Sequence, residues 1–142
     1  MCRVEYVVNI PIIKSYQRAR HNQYGVHNTT DYIEYRKLLQ RKIRDNGVYG
    51  GEYNSVDIQA VFNFHIPKSC PSASGGILPS KREHVQPHNI VKDVDNLIKA
   101  VMDAGNGLLF RDDMEVVSVS SSKRYKVNAD QYDTIELIIT YM

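Results

Sequence analysis

The apolar positions of the 142-residue chain fall into short blocks with different periods. Residues 3–12 alternate and predict a first strand, ended by Pro11. Residues 13–29 are polar and basic and read as a long loop. With Thr30 or Asp31 as cap, Tyr32, Tyr35, Leu39 and Ile43 then step by three and four. That spacing predicts a helix to about Asn46, stopped by Gly47. In residues 55–67, Val56, Ile58, Ala60, Phe62, Phe64 and Ile66 alternate with Asp57, Gln59, Asn63 and His65, the cleanest strand pattern in the chain. Residues 67–91 carry four of the five prolines and no period, so a long flexible loop is expected there; such loops usually have a function. A second helix is predicted from about Asp95 to Ala104, with Gly105 as its stop. Residues 114–126 read as a strand, and 133–141 return antiparallel beside it as a hairpin.

The element order is therefore β–α–β–loop–α–β–β. It predicts an α+β fold over residues 1–142: one small domain with a mixed sheet of about four strands packed by two helices. Hydrophobic residues at 42% and charged residues at 24% suit a chain that folds around a core. No stretch approaches the roughly 20 apolar residues of a membrane helix, so no membrane partner is expected. The strand-like N-terminus lacks the apolar core of a secretory signal, and a cytoplasmic location follows as the expectation. Cys2 and Cys70 match no metal spacing and are expected as free thiols.

A net charge of +2 says little, but its distribution says more. Residues 14–45 carry eight basic and three acidic side chains, whereas residues 93–115 carry six acidic and two basic ones. Basic again are Lys123, Arg124 and Lys126. Cations flanking an acidic centre suit a nuclease, in which cations hold phosphates and carboxylates hold metal.

The chemistry concentrates in residues 92–113. At about 100° per residue, Asp95, Lys99 and Asp103 share one helix face while Leu97, Ile98, Val101, Met102 and Ala104 occupy the other. Asp93 and Asp95 read either as a cap and a dipole-favoured acid or as two ligands converging on one cation. A short return after Gly105 would bring Asp112 and Asp113 toward the same site. Three or four carboxylates with one lysine compose a divalent-metal phosphodiesterase site. Lys99 serves either a phosphate oxygen or an i,i+4 ion pair with Asp95 or Asp103.

The run Lys92-Asp93-Val94-Asp95-Asn96-Leu97-Ile98-Lys99-Ala100, with Asp103, then Asp112-Asp113 before Val116-Val117, resembles the signature of the RusA family of Holliday-junction resolvases. Lys123 to Tyr125 and the terminal Glu136-Leu137-Ile138-Ile139-Thr140 strand continue the resemblance. Ile10-Pro11-Ile12-Ile13-Lys14-Ser15 departs from the Pro-Pro-Ser-x-Asn often found near the N-terminus of relatives, and the 67–91 loop is longer than expected. The resemblance implies Asp93, Asp95 and Asp113 as essential metal-site acids, Asp112 as a secondary one, and Lys99 as an essential lysine. It also implies Mg²⁺ or Mn²⁺ as cofactor and a homodimer whose two-fold axis matches a four-way DNA junction. The activity implied is metal-assisted phosphodiester hydrolysis in recombination and repair. A flap or branch nuclease of the same chemistry and a branched-DNA-binding module with little cleavage are the alternatives.

For DNA contact the candidates are Lys14, Arg18, Arg20, Lys92, Lys123 and Arg124. Tyr16 and Tyr24 interleave with the first of these as possible base-stacking rings. The His84-x3-His88 spacing near Cys70 reads as chance rather than zinc.

Overall fold

The computed structural model describes all residues except 24, 71, 73–76 and 127–131, together with the side chains of 20–22, 26 and 27. Its main sheet has four strands: β1 (Cys2–Ile10), β4 (Val56–Phe64), β5 (Val116–Tyr125) and β6 (Asp133–Tyr141), in the spatial order β1-β6-β4-β5. Two helices, α1 (Thr30–Asp45) and α2 (Val94–Gly105), cover one face. The expected α+β domain with four mixed strands and two helices is observed.

Alternation explains why that face is the covered one. Tyr6, Val8 and Ile10 of β1, Ile58, Ala60 and Phe62 of β4, and Ile135, Leu137 and Ile139 of β6 are all buried in one cluster. From α1 come Tyr32, Tyr35, Leu39 and Ile43, and from α2 Leu97, Ile98, Ala100, Val101 and Ala104. The periodicity selected these helix positions except Ala100, and it also selected Met102, which is half-buried.

Four sequence expectations change. First, β5 and β6 do not form a hairpin: β6 lies between β1 and β4, antiparallel to both, and β5 pairs parallel with the far edge of β4. The reason lies in composition. Every second residue of β6 is buried and those between are half-buried, as a central strand requires. The serines and charges of β5 leave most of it exposed, as suits an edge. Second, the polar segment 13–29 contains a small antiparallel ribbon, β2 (Arg20–Asn22) with β3 (Gly25–His27), with Gly25 at φ +111° as the first residue of β3. Three-residue polar strands carry no alternation to read. Third, the 67–91 loop is not structureless, because 3-10 turns form at Pro79–Val85 and Pro87–Asn89, each started by a proline with its φ already set. Thr29, rather than Thr30 or Asp31, caps α1, its Oγ1 accepting from Tyr32 N at 3.3 Å.

Asp133 is the one buried charged side chain among the described residues. Its carboxylate accepts from Ile13 N at 2.7 Å and His65 N at 2.8 Å, and lies 2.6 Å from His65 Nδ1. Segments following β1 and β4 are thereby tied to the first residue of β6. Asp133→Ala removes the acceptor for two backbone N–H groups, each costing about 1–3 kcal/mol when left unmet. A loss of about 2–5 kcal/mol is expected in a denaturant titration, with Asp133→Asn losing less.

Candidate active site

Asp93 is the N-cap of α2, and Asp95 lies in its first turn rather than at the cap. The Asp93 backbone performs the capping through its carbonyl, which accepts from Leu97 N at 3.1 Å, while its side chain makes no capping bond. Both carboxylates are exposed, at a helix N-terminus whose dipole favours negative charge. One turn on, Lys99 is exposed and makes no ion pair among the described residues, so the i,i+4 pairing does not form. Asp103 turns to α1 instead, accepting from Tyr32 Oη at 2.6 Å and Arg36 Nη1 at 3.3 Å. Burial first, and Asp103 second, raise the Tyr32 hydroxyl far above its ordinary pKa, so it stays protonated as the donor. Tyr16 packs edge-on against Tyr32, ring centroids 5.5 Å apart, and its N–H donates to Asn96 O at 2.9 Å. The Lys14–Arg18 segment is thus stitched onto the flank of α2.

After α2 the chain reverses. Leu108 and Leu109 N–H groups both return to Gly105 O, and Gly107 takes φ +82°. A Cβ on Gly105 would stand 2.7 Å from Leu109 Cδ1, which explains the glycine there. Leu109 and Phe110 are buried and anchor the corner. Arg111 then clamps it: Nε donates to Glu115 Oε1 at 2.7 Å, Nη2 donates to Tyr53 O at 2.9 Å, and the guanidinium lies 4.6 Å from the Tyr53 ring centroid. Sequence reading missed this clamp, because its aromatic partner is 58 residues away.

The clamp presents Asp112 and Asp113 side by side on the surface. Asp112 accepts from Met114 N at 3.0 Å, and this bond, followed by one with the Asp113 carboxyl, lowers its pKa. Hydrogen bonding to Asp112, and then the charge of Asp112, raises that of Asp113. The two carboxyls therefore share a proton as pH falls, and Asp113 takes it up first.

Lys99 and Asp113, from different elements, line one open cleft of about 410 Å³ together with Tyr16, Arg18, Asp103 and Asn106. Asp93 and Asp95 do not line it. Asn106 stands eleven positions beyond Asp95, roughly 16 Å at 1.5 Å per residue. Among the described residues no three His, Cys, Asp or Glu side chains gather as a metal-holding group. One chain thus brings together Asp112 with Asp113, and Asp113 with Lys99, but not the full acidic set.

The basic candidates divide. Arg18 is exposed in the cleft. Lys14 pairs with Asp31 at 2.6 Å. The Lys92 ammonium lies 5.9 Å from the Phe64 ring centroid. Lys123 is half-buried and donates to two backbone carbonyls. Arg124 bonds Asn63 Oδ1 at 2.5 Å and Glu136 Oε2 at 3.1 Å. The Arg20 and Tyr24 side chains lie outside the described residues.

The family model for endodeoxyribonuclease RusA matches residues 10–137, nearly the whole chain. The chain belongs to the RusA family. A search of the curated proteins finds no match. Membership makes this RusA chain one of a family of endodeoxyribonucleases that are generally divalent-metal dependent. No helix among its described residues is long and apolar enough to cross a membrane.

In donor chemistry the residues fit such an ion. Asp93 and Asp95 are exposed carboxylates with no hydrogen-bond or ion-pair partner among the described residues, and Asp112–Asp113 is a like-charged pair that makes no ion pair among them. Mg²⁺ is commonly held by one or two carboxylates, with water and substrate phosphate completing its shell, so a three-acid cage is not required. A carboxyl-carbon NMR titration of the metal-free protein should find Asp113 protonating above, and Asp112 below, the free aspartate value. Asp112→Asn should lower the Asp113 pKa.

Proposed function

We propose that this RusA chain is a Mg²⁺-dependent endonuclease that cuts the phosphodiester backbone of four-way DNA junctions, acting as a homodimer in the cytoplasm. The observation that carries the reading is the meeting of Lys99, Arg18 and Asp113 in one cleft, on a chain whose family is an endodeoxyribonuclease family. A DNA backbone entering that cleft meets an unpaired ammonium, a guanidinium and a carboxylate, the set that phosphate hydrolysis needs.

Each residue has a distinct task. Asp113, with Asp112 beside it, and Asp93 with Asp95 at the helix entrance, supply oxygen ligands for Mg²⁺ or Mn²⁺. When bound, the ion supplies Lewis acidity: it offsets charge building on the phosphoryl oxygens and acidifies water. The Lys99 ammonium holds a non-bridging oxygen where that charge develops. Arg18, with Lys14 and Arg20 along the same segment, follows the adjoining phosphates, and the Tyr16 ring offers a face to an unstacked base. Lys92 and Arg124 extend the cationic surface on either side.

Two acid groups at opposite ends of α2 and a four-armed substrate both favour an assembly of two chains. In a closed two-fold pair each copy presents the same cleft, and two symmetric cuts follow.

On a synthetic four-way junction with Mg²⁺, Asp95→Asn and Asp113→Asn should each lower the cleavage rate by roughly 10²- to 10³-fold. Lys99→Met should fall similarly, with junction binding in a metal-free gel shift preserved for the two aspartate variants. Cutting at the wild-type rate by both aspartate variants would refute the assignment.

A further inference from the structure

Lys123 stands in a basic run and reads, by sequence, as a phosphate contact. Its geometry differs. Nζ donates to Ile90 O at 2.8 Å and to Lys92 O at 2.7 Å, the latter being the carbonyl next to Asp93. Two of its three donors are therefore spent on the peptides that lead into the acidic helix entrance. To reach a phosphate the ammonium would have to leave both.

We infer that Lys123 is a positioning residue: it fixes the backbone from which Asp93 and Asp95 project, and so acts on the ion through them. This rests on the metal-site reading of those two acids. Residues 90–93 belong to no helix or strand, and Val91 is 91% exposed, so the segment has little packing of its own beyond the buried Ile90 and the Lys92 ammonium over the Phe64 ring. Lys123, by contrast, is set in β5 opposite buried Phe62 of β4, on a strand held through ten residues. A two-pronged bond from a rigid strand to carbonyls two residues apart fixes both the position and the direction of the chain entering α2. Strand alternation sends Arg124 to the other face, where it meets Asn63 and Glu136, so the adjacent cations of the run have different tasks.

The test compares Lys123→Met with wild type in three measurements: cleavage rate against Mn²⁺ concentration, junction affinity and its salt dependence in metal-free buffer, and amide hydrogen exchange at residues 91–97. Expected for the variant is a roughly 10- to 100-fold loss in cleavage or in apparent Mn²⁺ affinity, the usual effect of removing a group that orients a metal ligand. Exchange at 91–97 should quicken, while junction affinity stays within about twofold and its salt slope is unchanged. Lys123→Gln, which keeps a shorter donor, takes its place if the methionine variant does not fold. A salt slope smaller by about one with weaker junction binding, and exchange unchanged, identifies a phosphate contact and overturns the inference. Wild-type cleavage and exchange in the variant overturn it too. If wild type itself does not cut, the nuclease reading fails, while exchange and junction binding still decide what Lys123 does.

Discussion

A single buried carboxylate holds the sheet in its arrangement. Asp133 begins β6 and receives N–H groups from Ile13 and His65, the segments that follow β1 and β4. Those are the two strands between which β6 inserts. A buried charge survives only where its lone pairs are met, and here the partners come from both neighbours at once. The bonds therefore select one insertion: shifting β6 along either neighbour would leave the carboxylate without its donors. With β6 central, β5 is left to the outer edge of β4, and both the acidic corner before β5 and Lys123 within it take their places from that edge.

The sequence made the elements legible but not their pairing. Period-2 and period-3.6 patterns mark β1, β4, β6 and both helices, because one face of each is buried in a common core. The same patterns are silent on which strands are neighbours, and chain adjacency suggested a β5–β6 hairpin. What decides the matter is the evenness of burial along β6, including its half-buried second face, set against the serines of β5. The small ribbon at 20–27 escaped because its three-residue strands are too short to show a period, and the 3-10 turns at 79–89 because they bury no residue.

At the site, residue types were legible and connections were not. Spacing alone put Asp95 and Lys99 on the polar face of α2 and set Asp112 and Asp113 at a corner. Asp103 shares that face, yet it is bound to Tyr32 and Arg36 of α1, a partnership across 71 and 67 residues that no local pattern encodes. Arg111 looks like one more exposed cation in sequence and is the clamp that shapes the corner. Charge counts cannot separate a cation that faces solvent from one whose donors are already taken; only the hydrogen-bond partners do.

Helix length then constrains the chemistry. An α2 of 12 residues spans roughly 18 Å, with Asp93 and Asp95 at its entrance and Asp113 beyond its exit, and Lys99 between them. Shortening it would bring the acids together but would remove the buried Leu97, Ile98, Val101 and Ala104 stripe that holds the helix on the sheet. Packing therefore keeps the two ends of the segment apart. Each end has a fixed support: Lys123 holds the entrance and Arg111 the exit. With the backbone held there, two separated pairs of exposed acids cost little folding energy. Repulsion between the two pairs is screened by water.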